Sequence, residues 1–222
     1  MWIFINLRVK MYMDTSLALS TESLGRNCEF GLVQRHFDVE PVSLLRWAGT
    51  PRLSLIDGLR NRFEGLAEEM TGRADPPDQD PAHQHWWLTC NRYGILFHTD
   101  EIVAQKTVNE ATAAVRKRLR WLAAKLIDDL KSAEKLFVFS DAEMADPNSV
   151  GNLISAVAEV GPAWVWLVGK NKDWAGKTAR LDRRMIGSWM DHLTNVGEAN
   201  SLHIGPWCAA ITEAHRIWAI HR

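Results

Sequence analysis

Two short, continuously apolar runs constrain this chain more than any other feature: LFVFS, from Leu136 to Ser140, and AWVWLV, from Ala163 to Val168. A strand buried on both faces has no use for polar alternation, so such runs read as interior strands of a parallel sheet covered by helices. The first ends at Asp141 and the second at Gly169, and the stretch from about Ser149 to Val160 between them carries helical spacing. A third short strand is predicted over Ser201 to Ile204, ahead of a C-terminal helix from Trp207 to Ile220. The polar region from Asp173 to Leu193 reads as helical. Strand, helix, strand, helix, strand predicts an α/β fold, a mostly parallel sheet flanked by helices with right-handed crossovers.

The clearest single element lies upstream. Val108, Ala111, Val115, Leu119, Leu122, Leu126 and Leu130 recur three or four apart, which is one face of a long helix with Arg116, Lys117, Arg120 and Lys125 on the other. Trp86 to Leu88 and Tyr93 to His98 predict a hairpin or two successive strands, and Leu55 to Phe63 a short helix. Between Leu24 and Phe37 the apolar residues Leu24, Cys28, Leu32, Val33 and Phe37, with Glu29, Gln34 and Arg35 falling between them, predict an amphipathic helix that Ser23 or Asn27 can cap. Residues 71–85, rich in Pro, Asp and Gly, read as a surface loop. At about 150 residues per domain, the 222 residues predict one α/β domain over 20–222. Residues 1–19 are expected to be an N-terminal extension, an upstream segment or a mobile arm, with later starts on offer at Met11 and Met13.

Partners are bounded by charge and cysteine use. A net charge of −1 leaves no basic footprint for nucleic acid, and no run approaches the roughly 18 apolar residues of a membrane span; the expected partner is a small-molecule, peptide or glycan substrate. The opening MWIFINLRVKMYMD has too short an apolar core, with its charges after rather than before it, to act as a secretion signal. Three widely spaced cysteines (Cys28, Cys90, Cys208) argue against a disulfide framework and for a reducing, cytoplasmic compartment.

Cys28 is the leading chemical candidate, because a thiol at a helix start meets first-turn amides and the positive end of the helix dipole, which favour the thiolate. His98 ends one predicted strand and Asp141 another, so Cys, His and Asp could converge at the carboxyl edge of a sheet. The same cysteine also fits the apolar stripe of its helix, and packing is the competing role. After that helix, RHFDVEPVSLLRW presents Arg46 and Trp47, a forked cation beside an aromatic platform suited to an anionic or sugar-like substrate; a buried Trp with a solvated Arg is the alternative. Other patterns fail on spacing or setting. GKNKDWAGKT, from Gly169, has too many residues between its glycines for a phosphate loop, and His83, His85, Asp78 and Asp80 sit in a Pro-rich loop without a rigid frame for a metal.

The segment SLGRNCEFGLVQRHFDVEPVSLLRWAGTP, Ser23 to Pro51, resembles the opening of a bacterial family of unknown function described as papain-like cysteine peptidases, whose start reads Ser-Leu-Gly, two variable residues, then Cys. YGILFHTD (Tyr93 to Asp100) and VRKRLRWL followed by LFVFSD (to Asp141) are similar to that family's His-bearing strand and its basic helix and hydrophobic strand. The resemblance implies a Cys28 nucleophile with His98 as its partner, and Asp141 completes the expected set. Papain-like enzymes carry a Gln shortly before the nucleophile; Glu22 stands six residues before Cys28 here, which leaves Asn27 or the Cys28 amide to donate to an oxyanion. The expected function is therefore a cysteine-dependent hydrolase or acyl-transfer enzyme without cofactor or metal. The rival is a non-peptidase α/β protein, carbohydrate-modifying or ligand-binding, of surface-polysaccharide pathways, with Arg46, Trp47 and His98 on its binding surface and Cys28 structural.

Overall fold

A computed structural model describes residues 14–26, 28–75, 81–141, 147–194 and 202–222. In chain order the elements are α1 (Thr15–Leu19), β1 (Thr21–Ser23), α2 (Glu29–His36), β2 (Ala48–Gly49), α3 (Arg52–Arg60), β3 (Met70–Ala74), β4 (His85–Cys90), β5 (Ile95–Ile102), α4 (Val108–Ser132), β6 (Leu136–Ser140), α5 (Pro147–Val160), β7 (Trp164–Lys170), β8 (Thr178–Asp182), β9 (Met185–Met190) and α6 (Ile204–His221).

The protein is α/β, and among the described residues its strands form two sheets. The first has the order β1-β6-β7-β9-β8, with β1, β6, β7 and β9 parallel and β8 antiparallel at the edge. The second, β2-β5-β4-β3, is antiparallel throughout. The two apolar runs are the central strands expected of them, and the two-residue strand period divides their side chains between the faces of the sheet. Phe137, Phe139, Val165 and Leu167 join a core with α3, α4, α5 and the second sheet. Leu136, Val138, Trp164, Trp166 and Val168 join another with α2 and α6. Trp166 is fully buried there, its indole N–H donating to Ser188 Oγ at 2.8 Å and Phe30 meeting it edge-on at 6.1 Å. Burial of each such aromatic contributes on the order of 2–3 kcal/mol.

Helix α4 starts on a reciprocal capping box: Thr107 Oγ1 accepts from the Glu110 amide, and Glu110 Oε2 accepts from the Thr107 amide at 2.8 Å. It ends at Ala133 in the left-handed conformation. Its basic face is pinned as well as wet, because Arg116 donates to the carbonyl of Ala67 at 2.9 Å and Lys125 pairs with the buried Glu22. Among the described residues no helix is long and apolar enough to cross a membrane.

Three expectations are corrected. The fourth parallel strand is β9, in the region expected to be helical, where β8 and β9 form an antiparallel pair. Leu202 and His203 are not in a strand, and α6 begins at Ile204; Ser201 lies outside the described residues. Met70–Ala74, which falls largely in the expected loop, is an edge strand paired with β4 from Met70↔Cys90 to Ala74↔Trp86. That strand is mostly exposed and lacks apolar alternation, which is why its composition reads as loop. Gly72 belongs to it because a Cβ there would lie 2.2 Å from Val108 Cγ2 of α4. Residues 15–19 of the expected extension form α1, whose Ala18 is buried against α6.

Candidate functional site

A groove of about 1180 Å³ opens between α2 with its following loop, the face of the second sheet, and α4. Cys28 and Leu32 contribute from α2, Arg35 from its end, Glu40 to Leu44 with Arg46 and Trp47 from the loop, Asp75, Trp87 and His98 from the sheet, and Val115, Leu119 and Leu122 from α4. The loop is tied to the sheet by the His98 amide, which donates to the Trp47 carbonyl at 3.1 Å.

The face that α2 buries differs from its apolar stripe. Phe30, Val33, Glu29 and Gln34 are buried, while Cys28 and Leu32 are half-buried and line the groove. The polar pair turns inward because it has partners there. Glu29 Oε1 accepts from the Thr194 amide and from Trp207 Nε1, each at 3.0 Å, and Gln34 Nε2 donates to the carbonyls of Ala18 and Thr21, each at 3.0 Å. Burial raises the Glu29 carboxyl against these bonds.

Cys28 is the N-cap residue of α2, reached through a turn in which Gly25 (φ +89°) and Arg26 (φ +76°) are both left-handed. Gly25 is required twice over, by its φ and because a Cβ would sit 2.6 Å from Thr50 Oγ1. The expected lowering of the Cys28 pKa is corrected: burial pushes the thiol up to about 11, so in the resting protein the sulfur carries its proton at neutral pH. No hydrogen bond joins it to His98 among the described residues.

Asp141 does end β6, but its carboxylate is enclosed by arginines. Arg52 Nη2 lies 2.7 Å from Oδ2 and Arg26 Nε 3.4 Å from Oδ1. Asp141 thus anchors the turn that delivers Cys28, and it does not line the groove.

The carboxylate beside His98 belongs to Asp75, with Oδ1 3.8 Å from His98 Nε2. Asp75 follows β3, and its backbone amide donates to the His85 carbonyl while the His85 amide donates back to Oδ2 at 2.8 Å. Trp87 Nε1 donates to Oδ1. Burial acts to raise the Asp75 carboxyl, but these donors and the two histidines outweigh it and hold it below the usual aspartate range. His98 is lowered, first by burial and then by His85 and Arg35, with Asp75 opposing. His85 Nδ1 lies 3.5 Å from Asp75 Oδ2, so the carboxylate bridges two imidazoles.

The binding residues expected around Trp47 are partly committed elsewhere. Arg46 is 3% exposed, and its guanidinium donates to Glu40 and to the carbonyls of Gly31 and Val39 at 3.1 and 3.0 Å. It holds α2 to the loop and at the same time lines the groove. Trp47 lines the groove with the guanidinium groups of Arg35 and Arg46 at 4.3 and 4.7 Å from its ring centre. Asn27, with Asp78 and Asp80, lies outside the described residues.

Asp75 is the residue that sequence reasoning missed. Several acidic residues sit in the same Pro-rich stretch, and only the pairing of β3 with β4 selects one of them. No family model, no curated protein and no solved structure matches the chain.

Proposed function

We propose that the groove is the active site of a cysteine-dependent hydrolase or acyl-transfer enzyme, with Cys28 as nucleophile, His98 as base and Asp75 in the orienting place expected of Asp141. One observation carries the proposal: Cys28 and His98 line the same groove, and a buried carboxylate stands at His98 Nε2. The proton on Nε2 then points to Asp75, and Nδ1 is the nitrogen free to accept.

Because Cys28 rests as a thiol, its proton leaves only as attack begins. The S–H proton passes to His98 Nδ1 while sulfur bonds to the acyl carbon. His98 returns that proton to the departing amine or alcohol as its bond to the acyl carbon breaks. Water, deprotonated in turn by His98, releases the acid and restores the thiol. First-turn amides of α2 are the local donors for the oxyanion. The substrate class is an amide, ester or thioester. The resemblance of Ser23–Pro51 to papain-like peptidases favours the peptide among these, and three free thiols fit a cytoplasmic setting.

The test is intact-mass spectrometry after incubation with a panel of p-nitrophenyl acyl esters. The expected result is a single acyl adduct that maps to Cys28, is lost in Cys28→Ala, and forms at least about 100-fold more slowly in His98→Ala. An adduct elsewhere, or one that forms equally well without His98, overturns the proposal. The raised Cys28 thiol favours a second function, a ligand- or glycan-binding groove in which Cys28 is structural. In that case Cys28→Ala leaves binding unchanged.

A further inference from the structure

Asp75, His85 and His98 offer one carboxylate and two imidazole nitrogens whose ligand atoms all lie within 4.8 Å of one another. His85 Nδ1 lies 3.5 Å from Asp75 Oδ2 and His98 Nε2 lies 3.8 Å from Oδ1, so the two imidazoles approach different oxygens of one carboxylate, and the three side chains would close onto a metal whose donors sit at about 2.0–2.1 Å. The frame around them is already built. Asp75 is 5% exposed and is held by Trp87 Nε1 and by the His85 amide, and each oxygen keeps a lone pair for a metal. His98 stacks on Trp87 at 4.6 Å and 22°. The β4–β5 register shifts between His85 and Trp87, beside these ligands. His85 and His98 are 35% and 40% exposed, so a fourth position opens toward solvent.

We propose that Asp75, His85 and His98 bind a divalent transition metal of the zinc type, and that the bound metal switches the groove off. Two imidazoles and a carboxylate suit zinc, cobalt(II) or nickel(II) rather than calcium or magnesium. The switching half rests on the proposed function, and its logic is that of a tautomer. A neutral imidazole bound to metal through Nε2 carries its proton on Nδ1, so His98 loses the lone pair with which it accepts the Cys28 proton. The same ion draws Asp75 away from its orienting role.

The binding half is tested without activity, on the untagged chain, by cobalt(II) titration read in visible absorption and by equilibrium dialysis against zinc. One metal per chain is expected, with affinity at least about tenfold weaker in His85→Ala and in Asp75→Asn while circular dichroism stays unchanged. Equal uptake by wild type and both variants, or no uptake at micromolar metal, overturns the site. The switching half is read by ester acylation of Cys28. Zinc is expected to slow it at least about tenfold in the wild type and to leave His85→Ala unaffected. Acylation that persists with zinc bound, or that zinc slows equally in His85→Ala through direct capture of the thiol, overturns the switch. Absence of acylation in the metal-free protein overturns the enzymatic proposal and, with it, the switch, while the titration still decides the site.

Discussion

Trp87 and His98 face each other directly across the β4–β5 ladder, their rings 4.6 Å apart and inclined by 22°. The same indole donates its N–H to Asp75, so one residue supports both the imidazole and the carboxylate beside it.

Trp87→Phe separates these two tasks. The phenyl ring keeps an aromatic surface against His98, while Asp75 loses a charge-assisted donor. The expected outcome is a loss of about 1–3 kcal/mol in urea unfolding, with an Asp75 carboxyl that titrates at higher pH, read by NMR.

Arg46→Lys tests whether this arginine is a strut. An ammonium cannot reproduce the fork that reaches Gly31, Val39 and Glu40 together. A loss of about 2 kcal/mol in denaturant unfolding is expected, and the ester acylation rate of the folded variant should stay close to the wild type. A normal stability with weakened substrate binding would instead return Arg46 to the substrate.

His215 gives the fold an acid-sensitive contact between α6 and β1. It is 7% exposed, lies 2.7 Å from Thr21 Oγ1, and is driven down to about 4, chiefly by burial, with Arg222 lowering it further and Leu17 and Asp14 opposing. The folded state therefore binds its proton less readily than the unfolded chain. Its contribution is complete above the unfolded value near 6.5 and is lost as pH falls toward 4, by about 3 kcal/mol. His215→Gln should flatten that part of the stability profile measured by denaturant midpoints.

Glu22, 3% exposed on β1, meets Lys135 at 2.7 Å and Lys125 at 3.4 Å, and both lysines also hold Asp129. Lys135→Met leaves Glu22 short of countercharge and is expected to cost about 3 kcal/mol at neutral pH. Adding Glu22→Gln should recover most of it, because the charge that lost its partner is then gone. A double variant no better than the single would show that packing of the lysine stem carries the effect.

What the sequence by itself determined are the elements whose cause is local. LFVFS and AWVWLV read as interior strands, since nothing polar interrupts them, and the spacing from Val108 to Leu130 reads as a helix with one buried face. The helix that carries Cys28 was legible only in part: its apolar spacing starts at Leu24, whereas α2 starts at Glu29 and Ser23, an expected cap, lies in β1. The tertiary structure alone decided which way α2 turns, because Glu29 and Gln34 are buried by partners far along the chain that no local pattern announces. It alone decided that His98 faces Asp75 while Asp141 serves two arginines. A carboxylate acquires its neighbour through strand pairing and crossover geometry, and an exposed edge strand such as β3 has no hydrophobic period from which that pairing can be read.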